Sequence, residues 1–172
     1  LDKLDVKRVA FEPMERLVAL TGETVHLSIL DHGEVVYIDK VDSPQPVRAY
    51  SKVGGRAPAY CVATGKALLA HASPAVVDAV AHELRSHTAN TITDPVELRA
   101  ELRRVREAGY AINRGEWREG VCGVAAPIRD GRGSVIAAIG ISGPVDRLKS
   151  RVAKQFAPAV VEIANSISTR LG

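Results

Sequence analysis

The side chains of this 172-residue chain with the most evident chemistry are two cysteines, five histidines and a Gly65-Lys66 pair. Cys61 and Cys122 lie far apart, without metal-type spacing. A cysteine nucleophile needs a base and an electropositive setting. His71, on the helix that begins near Cys61, is too far along to face it. A base can still arrive from distant sequence, so a small enzyme using Cys61 or Cys122 stands as one reading. Burial as a small hydrophobe is the other. Gly65-Lys66 has the look of a phosphate loop, but that motif requires an earlier Gly and a Ser or Thr after Lys, where Tyr60 and Ala67 stand. Close backbone approach at Gly65, near a helix start, is the better account. No catalytic residue, metal ligand or cofactor is assigned.

Gly123 and Gly140 each interrupt a strongly apolar strand, where glycine marks a bulge or the close approach of another group. A hairpin from Val121 to Ser142, turning near Gly131 and Arg132, sets the two glycines roughly opposite one another. Two missing side chains make a hollow, with Ser142 on the face of Gly140 by alternation. The competing reading is a matched pair of bulges with no ligand. Cys122 beside Gly123 joins the candidate cavity wall. Trp117 is either a packing anchor or part of that wall.

These residues need elements to hold them. Leu4 to Leu20 has helical apolar spacing, with Pro13 expected to kink it or start a new helix and Gly22 to end it. Val25, Leu27 and Ile29 alternate with His26 and Ser28, predicting a half-buried strand. Asp31-His32-Gly33-Glu34 turns it into a partner, Val35 to Val41. Ser43-Pro44-Gln45-Pro46 breaks that strand, and Val47 to Val53 resumes as an extended segment. Cys61 to His71 reads as a helix. Ser73-Pro74 opens another, to about Leu84, and Asp94-Pro95-Val96-Glu97 opens a third with buried Leu98, Leu102 and Val105, closed by Gly109. Strands follow at Tyr110 to Arg114, Val121 to Arg129 and Val135 to Ser142. Pro144 starts a last helix with Leu148, Val152, Phe156, Val160, Ile163, Ile167 and Leu171 on its apolar face. The pattern is α+β, an antiparallel sheet with helices on its faces.

Length and composition suit one domain with a sizeable core, over residues 1–172 with 1–20 as a leading helical segment. The net charge of +3 is mild and no basic block is present, so Arg99, Arg103, Arg104 and Arg106 read as a solvated helix face rather than a nucleic-acid site. No apolar run approaches the roughly 18 residues of a membrane span. The start at Leu1-Asp2-Lys3-Leu4 reads as a cut from a longer protein, and reduced thiols suit a cytoplasmic one.

Three stretches carry a family resemblance: Gly54-Gly55-Arg56-Ala57-Pro58 with Ala63-Thr64-Gly65-Lys66-Ala67-Leu68-Leu69-Ala70, then Asn90-Thr91-Ile92-Thr93-Asp94-Pro95, then Ala138-Ile139-Gly140-Ile141-Ser142-Gly143-Pro144. With Thr21-Gly22-Glu23-Thr24-Val25-His26-Leu27 and Ala108-Gly109-Tyr110-Ala111, their order resembles the effector-binding domain of IclR-type transcriptional regulators, from about Leu17 to Leu171. The resemblance implies a GAF-like fold with a curved antiparallel sheet and helices on both faces. It implies self-association as dimer or tetramer, and an effector that is a small organic acid or aromatic catabolite. Operator DNA would be bound only through an N-terminal winged helix-turn-helix domain absent from this chain. A ligand-free oligomerisation module is the remaining alternative.

In members that sense small 2-oxo acids, the carboxylate site maps onto Ala63 and Thr64, Asn113, Gly123 with Cys122 one residue earlier, and Gly140 and Ser142. Asn113 replaces an Asp, Gly123 a Cys and Gly140 a Ser, changes that favour a larger ligand such as an aromatic acid. Ala57, Tyr60 and Trp117 are the further expected wall residues.

Overall fold

The computed structural model describes residues 3–49 and 51–172. Its centre is a curled antiparallel sheet of six strands in the order β3-β2-β1-β6-β5-β4. The strands are β1 (Thr24–Asp31), β2 (Glu34–Val41), β3 (Arg56–Pro58), β4 (Ala111–Arg114), β5 (Val121–Arg129) and β6 (Val135–Pro144). Helices α1 (Lys3–Thr21) and α6 (Ser150–Leu171) cover one face; α2 (Ala63–Leu69), α3 (Pro74–Ala81) and α4 (Pro95–Ala108) cover the other. A single turn of helix, α5 (Val145–Leu148), joins β6 to α6.

Side-chain alternation along β5 and β6 divides the two cores. Cys122, Val124, Ala126 and Ile128 join Ala137, Ile139 and Ile141 beneath α1 and α6. Ala125 and Ala138 face α2 and α4. The face toward α2 is built from small side chains, which lets that helix lie close to the sheet.

Local chemistry sets the element ends. Ser73 Oγ accepts from Val76 N and Asp94 Oδ1 from Val96 N, each with Pro at the first helical position, as their sequences predict. Gly109 closes α4 at φ +84°. His32 and Gly33, at φ +52° and +77°, form the tight turn between β1 and β2.

Several expectations are corrected. Of the two outcomes expected at Pro13, a new helix start is ruled out, because α1 runs on through it; Val6, Ala10, Met14 and Leu17 bury a stripe spanning both sides of the proline. β1 is not half-buried: its position between β2 and β6 and the helices on both faces bury His26 and Ser28 as well. The described residues of Val47 to Val53 form no strand, residue 50 lying outside the described residues, and the third strand is the short Arg56–Pro58. The helix expected from Cys61 to His71 is a 3-10 turn at Ala59–Cys61 followed by α2, because extended Val62 separates them. α3 stops at Ala81. The final helix is broken at Lys149, whose ψ of 162° is extended, so Leu148 belongs to α5; Ala153, Ala157 and Ala164 line the buried seam with Val160, Ile163 and Ile167.

Gly65 makes the close approach its position suggests. A Cβ there would lie 2.1 Å from the Ala59 carbonyl oxygen and 2.5 Å from Ala59 Cα. Helix propensity alone would favour Gly65→Ala by about 1 kcal/mol, but backbone cannot yield like a side chain, so a net loss of about 2 kcal/mol or more is expected. Urea denaturation checks this; a stabilised variant would contradict the packing described.

Candidate functional site

The register of β5 and β6 decides how the two glycines relate. Gly123 pairs with Ser142 and Gly140 with Ala125, so they stand two residues out of register rather than opposite. The turn is one residue longer than expected, closed by Asp130 N to Ser134 O and Gly133 N to Asp130 O, and a bulge between Ile128 and Arg129 adds the rest of the offset. They do not create the hollow predicted from sequence either. A Cβ at Gly140 would lie 2.9 Å from Thr64 Cγ2 and 2.9 Å from Ala125 Cβ. One at Gly123 would lie 2.6 Å from Ile141 O and 3.7 Å from Ala63 Cβ. The missing side chain at Gly140 admits the first turn of α2, and the one at Gly123 clears the Ile141 carbonyl beneath Ala63. No side chain caps that turn, and its earliest intrahelical donor is Lys66 N, to Val62 O. Ala63 and Thr64 therefore bring backbone N–H groups without helical partners to the sheet.

Lys66 fixes the opposite wall. Its side chain is fully buried, with Nζ 2.8 Å from Glu101 Oε2 on α4 and 3.1 and 3.0 Å from Glu116 Oε1 and Oε2. Glu116 Oε2 also accepts from Arg114 N, and Asn113 Oδ1 accepts from Glu116 N. The loop after β4 is thereby tied to α2. The Asn90-Thr91 stretch holds it from outside: Thr88 Oγ1 donates to Gly115 O, Asn90 Nδ2 to Arg114 O and Thr91 Oγ1 to Glu116 O. For Glu101, burial pushes the pKa up, but the charges and hydrogen bonds of Lys66 and Arg104 outweigh it and leave it below the usual carboxylate value.

Between α2, this loop and the segment before β3 lies a cavity of about 500 Å³. Of the residues expected at an effector site, Ala63, Thr64, Asn113, Trp117, Gly140 and Ser142 line it. Cys122 does not, because alternation turns it into the α1–α6 core. Gly123 lies under Ala63 and is covered. Ala57 is buried in the other core, its neighbours Gly55 and Arg56 reaching the cavity instead. Tyr60 lines a separate groove, its hydroxyl held by Arg85 O and N and by His87 Nε2.

Sequence reasoning missed His26, Tyr37, Ser51, Lys52 and Arg118, all of which line the cavity. His26 lies on the polar side of the alternation that predicts a half-buried strand, and alternation cannot tell a wet face from one that a helix covers. Lys66 had a legible signal, a lone cation directly before the apolar run Ala67-Leu68-Leu69-Ala70, although its partners are distant in sequence. Among the described residues no Asp or Glu lines the cavity. Lys52 and Arg118 are exposed at its rim, and the Arg118 guanidinium lies 4.2 Å from the centre of the Trp117 ring. Arg56 is bound by Asp31 and Glu34.

The family model for the bacterial transcriptional regulator IclR C-terminal domain matches residues 1–169. The chain belongs to the IclR family. It is 37% identical over its whole length to the HTH-type transcriptional regulator KdgR of Escherichia coli, and spans 66% of that relative. The crystal structure of the C-terminal domain of E. coli KdgR superposes with a TM-score of 0.86 at 35% identity, covering 98% of this chain and 99% of that one. An IclR homologue from Microbacterium hydrocarbonoxydans, solved with 4-hydroxybenzoate, superposes at 0.89 with 32% identity, covering 98% of this chain and 68% of that one.

The relatives of this IclR domain are named regulators, not enzymes. Its thiols agree with that. Burial, with Glu116 adding to it, pushes Cys61 up to about 12, and burial raises Cys122, so neither is a ready thiolate at neutral pH. Among the described residues no helix is long and apolar enough to cross a membrane, and no His, Cys, Asp and Glu group could hold a metal ion.

His26 carries the largest pH consequence. Burial, then the Lys40 charge, pushes its pKa down to about 4, with Asp42 opposing. The unfolded chain binds a proton near pH 6.5 that the folded chain refuses until about 4. Stability from this group is thus complete above the unfolded value and declines as pH falls through that window. Between about pH 7 and about pH 4.5 the parent is expected to lose roughly 2 kcal/mol more than His26→Gln in urea denaturation. Equal acid losses would contradict a neutral, buried imidazole.

Proposed function

We propose that this domain senses a small organic acid, aromatic acids included, and that occupancy alters DNA binding by a longer regulator of which it forms part. The observation that carries this is the cavity's charge: among the described residues no carboxylate lines it and two rim cations have no ion-pair partner, and Ala63 and Thr64, whose amides have no helical acceptor, are part of its lining. The acid group sits at those amides, with Ser142 and the Asn113 carboxamide beside it. Asn113 uses Oδ1 on Glu116 N, which leaves Nδ2 to donate. Where the resembling oxo-acid sensors carry Asp, Asn113 presents no charge to repel the ligand. Val62 and Val121 supply apolar wall, and Trp117 offers a ring face.

The 4-hydroxybenzoate held by the Microbacterium relative supports a ligand of this class and size. DNA contact would be made by a helix-turn-helix domain, as the name of the E. coli relative implies for that protein. Self-association belongs to the same reading; exposed Leu4, Phe11 and Leu20 on α1 offer apolar surface for it.

Calorimetric titration with benzoate and benzamide tests the reading, since the two share a ring and differ in charge. Benzoate is expected to bind about tenfold or more tightly than benzamide, and at 100 times its dissociation constant to add about 2.7 kcal/mol of stability. Arg118→Ala should weaken benzoate and leave benzamide little changed. Benzamide binding as well as benzoate, or no acid binding at all, would overturn it.

A further inference from the structure

The cavity has a second polar region that an acid seated at α2 does not use. On β1, His26 lies directly across from Gly140, over which Thr64 packs, so it stands one strand beyond the acid end. Tyr37 on β2 comes next, its ring centre 5.0 Å from that of His26 at 52°. Both side chains line the cavity. Ser51 Oγ lies 3.1 Å from His26 Nδ1 and fixes the imidazole. Among the described residues, neither His26 Nε2 nor the Tyr37 hydroxyl has a hydrogen-bond partner. Ser28, two residues from His26 on the same strand face and across from Tyr37, carries a buried hydroxyl without a partner. Polar atoms gathered at a covered wall are ordinarily satisfied, and leaving them bare is costly.

We infer that His26 and Tyr37 read a second, uncharged polar group on the ligand, a hydroxyl, one to two strand spacings (about 5–10 Å) from its carboxylate. This rests on the organic-acid reading above and adds what the acid must carry at its far end. A hydroxyl suits the pair because it donates and accepts. If Ser51 donates to Nδ1, Nε2 donates to the ligand oxygen; if Nδ1 donates to Ser51, Nε2 accepts the ligand proton. The phenol of Tyr37 fills the remaining role in either case. A second carboxylate fits poorly, because the imidazole, kept neutral by burial, brings no charge to meet it. Arg56, the cation nearest β2, is already bound by Asp31 and Glu34.

Calorimetric titration of the chain with benzoate, 4-hydroxybenzoate and benzene-1,4-dicarboxylate tests this, in the parent, Tyr37→Phe and His26→Phe. The parent should bind 4-hydroxybenzoate about tenfold more tightly than benzoate, and the dicarboxylate no more tightly than benzoate. In each folded variant the hydroxyl preference should fall to near one. That ratio is a readout that a merely structural role would leave unmoved. Thermal melting establishes folding; if His26→Phe does not fold, Tyr37→Phe decides alone. The inference is overturned if the parent binds both monoacids alike, if the preference survives in a folded variant, or if the dicarboxylate binds tightest. If none of the three binds, the organic-acid reading itself fails, and this inference with it.

Discussion

A single buried ammonium organises the ligand side of this domain. Lys66 Nζ, fully removed from solvent, is shared between Glu101 on α4 and Glu116 in the loop after β4. Desolvating three charges is costly, and an apolar cluster of equal volume often serves stability as well, whereas removing one partner of such a group costs about 3–5 kcal/mol. What the ion cluster supplies is position. Apolar packing tolerates sliding; an ammonium between two carboxylates does not. Glu116 cannot shift without giving up its paired contact with Lys66, so Asn113 and Trp117, on either side of it, are held relative to the first turn of α2.

The second constraint is proximity. α2 has to lie almost on the sheet for its unpaired N–H groups to share a cavity with strand side chains. Gly123, Ala125, Ala138 and Gly140 clear the sheet face, and Gly65 clears the contact with Ala59 on the other side of the helix. A short helix pressed from both sides by glycine contacts has little freedom to tilt. The cavity is then what remains beside the helix start, bounded by the β4 loop at one end and by β1 and β2 at the other. The surrounding charge distribution, cations at the rim and carboxylates engaged elsewhere, favours an anion there.

Much of this was legible in the sequence wherever the cause is local. Caps at Ser73 and Asp94, the His32-Gly33 turn and the Gly109 stop depend on residues a few positions apart. The glycines at 65, 123 and 140 were legible as close approaches, but nothing in a single chain says whether the approaching group is a ligand or a helix. At 140 it is the helix, with Thr64 against it, and at 123 it is the neighbouring strand's Ile141 carbonyl, with Ala63 above, which places the opening toward Asn113 and His26. A turn one residue longer, Asp130–Ser134, and a bulge between Ile128 and Arg129 together moved the register of β5 against β6 by two residues. Covered and wet strand faces look alike in alternation, which hid His26. The carboxylates that meet Lys66 lie 35 and 50 residues away, beyond the reach of any spacing rule.

In the proposed reading the Lys66 cluster builds the acid site by holding the β4 loop against α2. Glu116→Ala tests it most directly, because Lys66 keeps Glu101 as a partner and the fold has no stranded charge. Amide hydrogen exchange should show residues 113–118 and the first turn of α2 losing protection together, while β5, β6 and α6 stay protected, with benzoate binding weakened in parallel. Unchanged protection in both segments, with benzoate bound as tightly as by the parent, would contradict the account.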